Sequence, residues 1–248
     1  MKEQLLTINR AAKMLGVSIQ TLRRWDSSGR LLSVVRKNTK HRRYFKNFIE
    51  DYIRNNLIEL NIFKMARNWV ADNSGQEPFS DFYCQDIYIF QTRLNRLEKE
   101  LSQIQRLKKI FPLISAVVGE IGSNSFDHNL GNWPDIRGIF FVWDLNKGKI
   151  VLADRGQGIL ATLRNVKPEL KNHQEALLIA FTEMISGRAP ENRGNGLKFV
   201  KEIVSSNKID LFFQTGNAWL KIPKNDSKIK IKKSRLNLRG CLALIEVR

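Results

Sequence analysis

The stretch Val118-Gly119-Glu120-Ile121-Gly122-Ser123-Asn124-Ser125-Phe126-Asp127-His128 decides how this chain is read. It reads as helix, and Glu120, Asn124 and His128 recur at every fourth position. Four residues advance a helix by about 400°, so the three polar groups form one slowly drifting stripe. Ala116, Val117 and Ile121 make much of the remaining surface apolar. A carboxylate, an amide and an imidazole buried without partners would cost roughly 1–3 kcal/mol or more each. Two readings meet that demand: a cap plus a hydrogen-bonded core pair, or the polar wall of a binding site.

Two later stretches bear on the choice. Lys149-Ile150-Val151-Leu152-Ala153-Asp154 reads as a buried strand running into Arg155-Gly156-Gln157-Gly158-Ile159, and Asn192-Arg193-Gly194-Asn195-Gly196-Leu197 opens another apolar helix. A lone Gly-x-Gly carries little information. The ordered set Glu-x3-Asn-x3-His, Asp-x-Gly-x-Gly-Ile and Gly-x-Gly-Leu resembles the nucleotide site of the GHKL ATPases, over roughly residues 110–248. The resemblance implies ATP and Mg²⁺ as ligands. Asn124 would give an amide oxygen to Mg²⁺, which uses few protein ligands and keeps most of its waters. Asp154 would accept from the adenine amino group, with Gly156 and Gly158 letting backbone approach the base. Gly194 and Gly196 would let a lid fold over the phosphates, the helix beginning at Leu197 would face them with free N–H groups, and His128 and Arg193 would approach them. Glu120 occupies the family's general-base position, which implies an ATPase. A serine kinase of the anti-sigma-factor type, acting on a separate protein partner, is the alternative. Relatives often carry Gly-Thr before the last strand, whereas this chain has Arg239-Gly240-Cys241, which leaves that adenine contact unassigned. No Gly-x4-Gly-Lys-Ser/Thr loop is present, so P-loop chemistry is excluded.

The 248 residues suit one large domain or two smaller ones, and a formal charge of +18 calls for a polyanionic partner. Cys84 and Cys241 have no metal-ligand spacing, and no apolar run reaches signal-peptide or membrane-spanning length. The expectation is a cytoplasmic protein with no membrane association.

Much of the charge sits in the first 56 residues, which hold thirteen Lys or Arg against four Asp or Glu. Thr7 is placed to cap one helix and Ser18 a second, with Gly16 and Val17 between them, so the segment predicts a helix-turn-helix. A basic hairpin over 36–44 and a third helix from about Phe45 to Asn56 follow. Ala11-Ala12-Lys13-Met14-Leu15-Gly16-Val17-Ser18, with Thr21-Leu22-Arg23-Arg24-Trp25 and His41-Arg42-Arg43-Tyr44, resembles the MerR and excisionase-type winged helix. The resemblance implies double-stranded DNA as partner. The second helix would enter the major groove through Ser18, Gln20, Thr21, Arg23 and Arg24, and the wing would touch phosphates through Lys40, His41, Arg42 and Arg43.

Between these units, Leu57, Leu60, Phe63 and Ala66 suggest an amphipathic helix, and Asn73–Pro78 a loop and domain boundary. Ile87, Phe90, Leu94, Leu97, Leu101 and Ile104 alternate spacings of three and four. Such a seam serves either a coiled-coil stem that makes a homodimer or a helix packed on its own domain. The expected fold is α+β: an all-α winged helix-turn-helix over 1–56, a helical linker or dimerisation stem over 57–111, and an α/β sandwich of the GHKL (Bergerat) type over 112–248. The sandwich would carry its helices on one face of a mixed sheet.

Overall fold

A computed structural model describes residues 4–35, 41–185, 196–224, 226 and 228–247. Lys40 of the wing tip and Arg193 and Gly194 of the glycine stretch lie outside them.

The chain opens with β1 (Leu5–Thr7) and α1 (Ile8–Met14), divided where the Thr7 hydroxyl accepts the Arg10 N–H. Ser18 starts α2 (Ile19–Ser27) in the same way, accepting the Thr21 N–H at 3.0 Å. Each cap satisfies a backbone donor that the first helical turn leaves unpaired. β2 (Val34–Val35) and β3 (Arg42–Phe45) form the wing, and α3 (Lys46–Asn55) follows it. β1 pairs with the other edge of β3, so the head carries a three-stranded antiparallel sheet in the order β1-β3-β2. The all-α expectation is corrected on this point. Tyr44 points into the head core while its neighbours stay partly exposed, an alternation that suits a strand.

α4 (Ile62–Val70) comes next, and it is more than a connector. Ile62, Met65, Ala66 and Val70 are all buried in one continuous apolar cluster. That cluster also holds Ala11, Leu15 and Leu22 of the head and Phe140, Val151 and Leu242 of the large sheet. The Asn68 side chain donates to the Lys13 carbonyl, and Lys13 pairs with Asp72 at 3.0 Å. The Asn73–Pro78 loop is present, but the apolar core runs past it without a break.

β4 (Tyr83–Cys84) precedes α5 (Ile87–Ser102), the helix of the heptad seam. Phe90, Leu97 and Leu101 are fully buried within this chain. Phe90 rests on Gly122 of α6 (Phe111–Asp127), where a Cβ would lie 2.1 Å from the ring. The flanks are engaged too: Arg93 donates to the Phe141 carbonyl and the Trp143 indole donates to Glu100. Within this chain the seam packs on α6 and the sheet.

The remaining elements are β5 (Ile139–Asp144), β6 (Lys149–Asp154), α7 (Gly158–Arg164), α8 (His173–Thr182), α9 (Gly196–Ser206), β7 (Ile209–Ile222) and β8 (Lys230–Val247). β7 and β8 are long and continuous, because an irregularity at Gly216 shifts register without ending β7. The sheet runs β4-β5-β6-β8-β7 and every pairing is antiparallel, which corrects the mixed-sheet expectation. Both faces are covered. Phe141, Leu152, Phe213 and Ala243 pack under α5, α6, α8 and α9, while Phe140, Val142, Val151 and Leu242 pack under α4 and the head. Among the described residues no helix is long and apolar enough to cross a membrane.

Candidate functional site

The stripe on α6, the end of β6 and the start of α9 converge on one pocket. Asn124, His128, Asp154, Gly158, Gly196 and Leu197 line it, on a floor of Leu152, Phe213 and Ala243. It encloses about 870 Å³ including its open mouth. An apolar floor with a few convergent polar groups is the usual form of a small-molecule site.

Asp154 is the deepest polar group, 2 % exposed. β6 alternates, so Val151 and Ala153 face α4 while Leu152 and Asp154 face α6. One carboxylate oxygen accepts the Gly156 N–H at 2.8 Å and the other the Ser125 hydroxyl at 2.9 Å. Burial pushes the carboxyl up to about 6, and these hydrogen bonds hold it from going higher. It is a buried acceptor lining the cavity.

Glu120 and Asn124 stand one helical turn apart at the other end of the stripe. The Asn124 amide donates to the Glu120 carboxylate at 3.1 Å, which leaves the Asn124 carbonyl oxygen for another partner. Gly196 approaches this pair so closely that a Cβ there would lie 1.8 Å from a Glu120 oxygen and 3.1 Å from the Asn124 nitrogen. α9 therefore meets this pair at a position that admits no side chain. His128 closes α6 as its C-cap and lines the same pocket.

Gly156 serves differently from the expectation. It lies under Asn129, where a Cβ would fall 2.1 Å from the side-chain nitrogen, and it is not among the lining residues. Gly158, at φ 77°, does line the pocket and begins α7.

Several residues of the site carry no motif. Asn129 is buried, donates to the Ser125 carbonyl and accepts the Gln157 N–H, locking the turn after β6 to the end of α6. Thr215 on β7 faces Cys241 across the strands, donates to the Gly240 carbonyl and accepts the Ile159 N–H. A threonine hydroxyl does sit beside the Arg239-Gly240-Cys241 turn, supplied by the neighbouring strand. Arg155 follows Asp154 and points the opposite way. It is fully buried, forks onto Asp135 with its closest contact at 2.6 Å, and donates to the Trp69 carbonyl of α4.

A second, shallow cleft lies on the head. Thr7 and Ile8 meet Arg23 of α2 and His41, Arg42 and Arg43 of the wing around about 600 Å³ including its open mouth. Gln20, Arg23, Arg24 and His41 are exposed, as groups meant for a polyanion should be. Ser18 spends its hydroxyl on the cap and on Thr21. Arg42 gives its Nε to Asp26 at 2.5 Å, so it braces the wing as well as facing the cleft. Burial would raise the Asp26 carboxyl, but the Ser33 N–H, Arg42 and the Ser33 hydroxyl together hold it below its ordinary value.

No match is found among the curated proteins. Residues 7–44 match the family described as MerR family regulatory protein, which spans both helices and the wing. Over those residues the head is similar to the MerR-type helix-turn-helix, and the similarity suggests DNA binding.

Proposed function

We propose that this chain is a DNA-bound regulator whose pocket takes ATP with Mg²⁺ in the manner of the GHKL ATPases it resembles. The observation that carries the reading is convergence: motif residues 30 to 70 positions apart in sequence line one cavity, with a buried carboxylate at its floor. Asp154 would accept the adenine amino group, since an ionised carboxylate offers only acceptors. The donor set fits magnesium in one respect, because the bond to Glu120 leaves the Asn124 oxygen as the available donor. Among the described residues no cluster of three or more His, Cys, Asp or Glu could hold a metal. A cation here would therefore rest mainly on nucleotide phosphates and water, as Mg²⁺ commonly does. Bound magnesium would neutralise phosphate charge, while Glu120 would orient and deprotonate a water.

Calorimetry with ATP and Mg²⁺ tests the pocket. Asp154→Asn should abolish detectable heat, and an unchanged isotherm would refute the adenine assignment. DNA binding is tested separately with Arg23→Ala plus Arg24→Ala, which should weaken affinity for duplex DNA and flatten its salt dependence.

A further inference from the structure

The head does not exhaust the positive charge. From Lys221 to Arg235 the chain carries seven Lys or Arg against the single acid Asp226. All seven side chains are exposed, and none has an acidic partner among the described residues. Lys221, Lys230, Lys232, Lys233 and Arg235 belong to the outer halves of β7 and β8, where β8 has parted from β6 and pairs with β7 alone, and Lys224 and Lys228 lie in the connection between the two strands.

The ribbon has two unlike faces. Leu220 and Ile231 are register partners and pack with the core under α8 and α9. The next partners along, Trp219 with Lys232 and Lys221 with Lys230, must face the other way. On that side Lys232 sits 5.4 Å over the Trp219 ring. A chain of rings runs back from it, Trp219 to Phe212 at 5.6 Å and Phe212 to Phe63 of α4 at 5.4 Å. This is the sheet face on which α4 and the winged head are stacked.

We infer that this face of the β7–β8 ribbon is a second, sequence-independent contact for duplex DNA, gripping phosphates that flank the site held by the head. Exposed, unpaired cations at alternate positions of an extended ribbon suit the repeating charge of a nucleic-acid backbone, and they carry no base-reading geometry. A lysine-rich edge that merely discourages strand pairing is the competing account. The inference rests on the DNA reading of the head.

The test uses the full chain and two random-sequence duplexes, one of about 10 base pairs, or one helical turn, and one of about 30. The ribbon variant is Lys221→Ala, Lys230→Ala, Lys232→Ala. A control removes equal charge from the opposite sheet face with Lys99→Ala, Lys108→Ala, Lys109→Ala, and a third variant replaces the ribbon lysines by arginine. The ribbon variant should lower the slope of log affinity against log salt by about 3 on the long duplex, at roughly 1 per phosphate contact. It should match wild type on the short duplex, and the arginine variant should match wild type on both. Equal losses for ribbon and control variants, equal losses on both duplexes, or aggregation of the ribbon variant with unchanged DNA binding would each overturn the inference. So would loss of binding to phosphatidylserine vesicles with DNA affinity intact, which would make the surface a membrane contact. Failure of wild type to bind either duplex would instead overturn the DNA reading of the head.

Discussion

The two faces of the five-stranded sheet are covered equally well and serve different purposes. Under α6 and α9 the apolar floor is interrupted by Asp154, Ser125 and Asn124, and a cavity results. Under α4 the interruption is Arg155, and its donors are taken up by Asp135 and the Trp69 carbonyl. A buried carboxylate at the wall of a cavity makes a candidate site. A buried guanidinium whose partners surround it makes a joint. The last residue of β6 and the one that follows it thus carry opposite tasks, and the difference lies in whether the surrounding groups satisfy the charge or leave it facing space.

Lesions on the two faces should separate these tasks. The largest expected effect belongs to Glu120→Ala, which should slow ATP turnover by about 10²–10⁴-fold in a phosphate-release assay while calorimetry still detects nucleotide. DNA affinity should stay unchanged, because α6 packs on the sheet face opposite the head. Arg155→Ala should cost about 3–5 kcal/mol of stability in urea unfolding, since it strips Asp135 of its buried partner. A wild-type midpoint would show that the joint carries little.

Asp154→Asn should behave in the opposite sense. The Asp154 carboxyl is raised from its ordinary 3.8 to about 6, so the folded state holds this proton more tightly than the unfolded chain does. The associated stability is fully present below pH 3.8 and is lost as pH rises through 6. Between pH 4 and 7 wild type should lose roughly 2–3 kcal/mol relative to Asp154→Asn. Parallel pH profiles for the two proteins would contradict the burial argument. Nucleotide affinity should also weaken in wild type as pH falls below about 6, when the acceptor becomes protonated. The smallest effect is reserved for the head alone. Ser18→Ala should cost about 1 kcal/mol, the value of a helix cap, and should leave nucleotide binding untouched.

The parts legible in the sequence were those written locally. Thr7 and Ser18 sit where caps belong, and the helix-turn-helix follows within twenty residues. The α6 stripe was legible because four-residue spacing on a helix fixes a direction in space. What periodicity could not supply was the far partner. The seam of α5 has the same spacing whether it meets a second copy or Gly122 of α6, and only the close approach at that glycine decides. Asn129 and Thr215 carry no motif, because their roles come from turns brought together by β6, β7 and β8. The full length of β7 and β8 is hidden in the sequence, where Gly216 and the polar run around 234–240 interrupt the apolar pattern although the pairing continues.

α4 has one further consequence. Because its residues complete the head core on one side and cap the sheet on the other, the head is not a detachable reader. A graft of residues 1–56 onto another protein would arrive with Ala11 and Leu15 bared, and the truncated remainder would show Phe140, Val151 and Leu242 to solvent. The smallest transplantable piece runs through Val70, and its new host must offer an apolar sheet face for that helix to lie on.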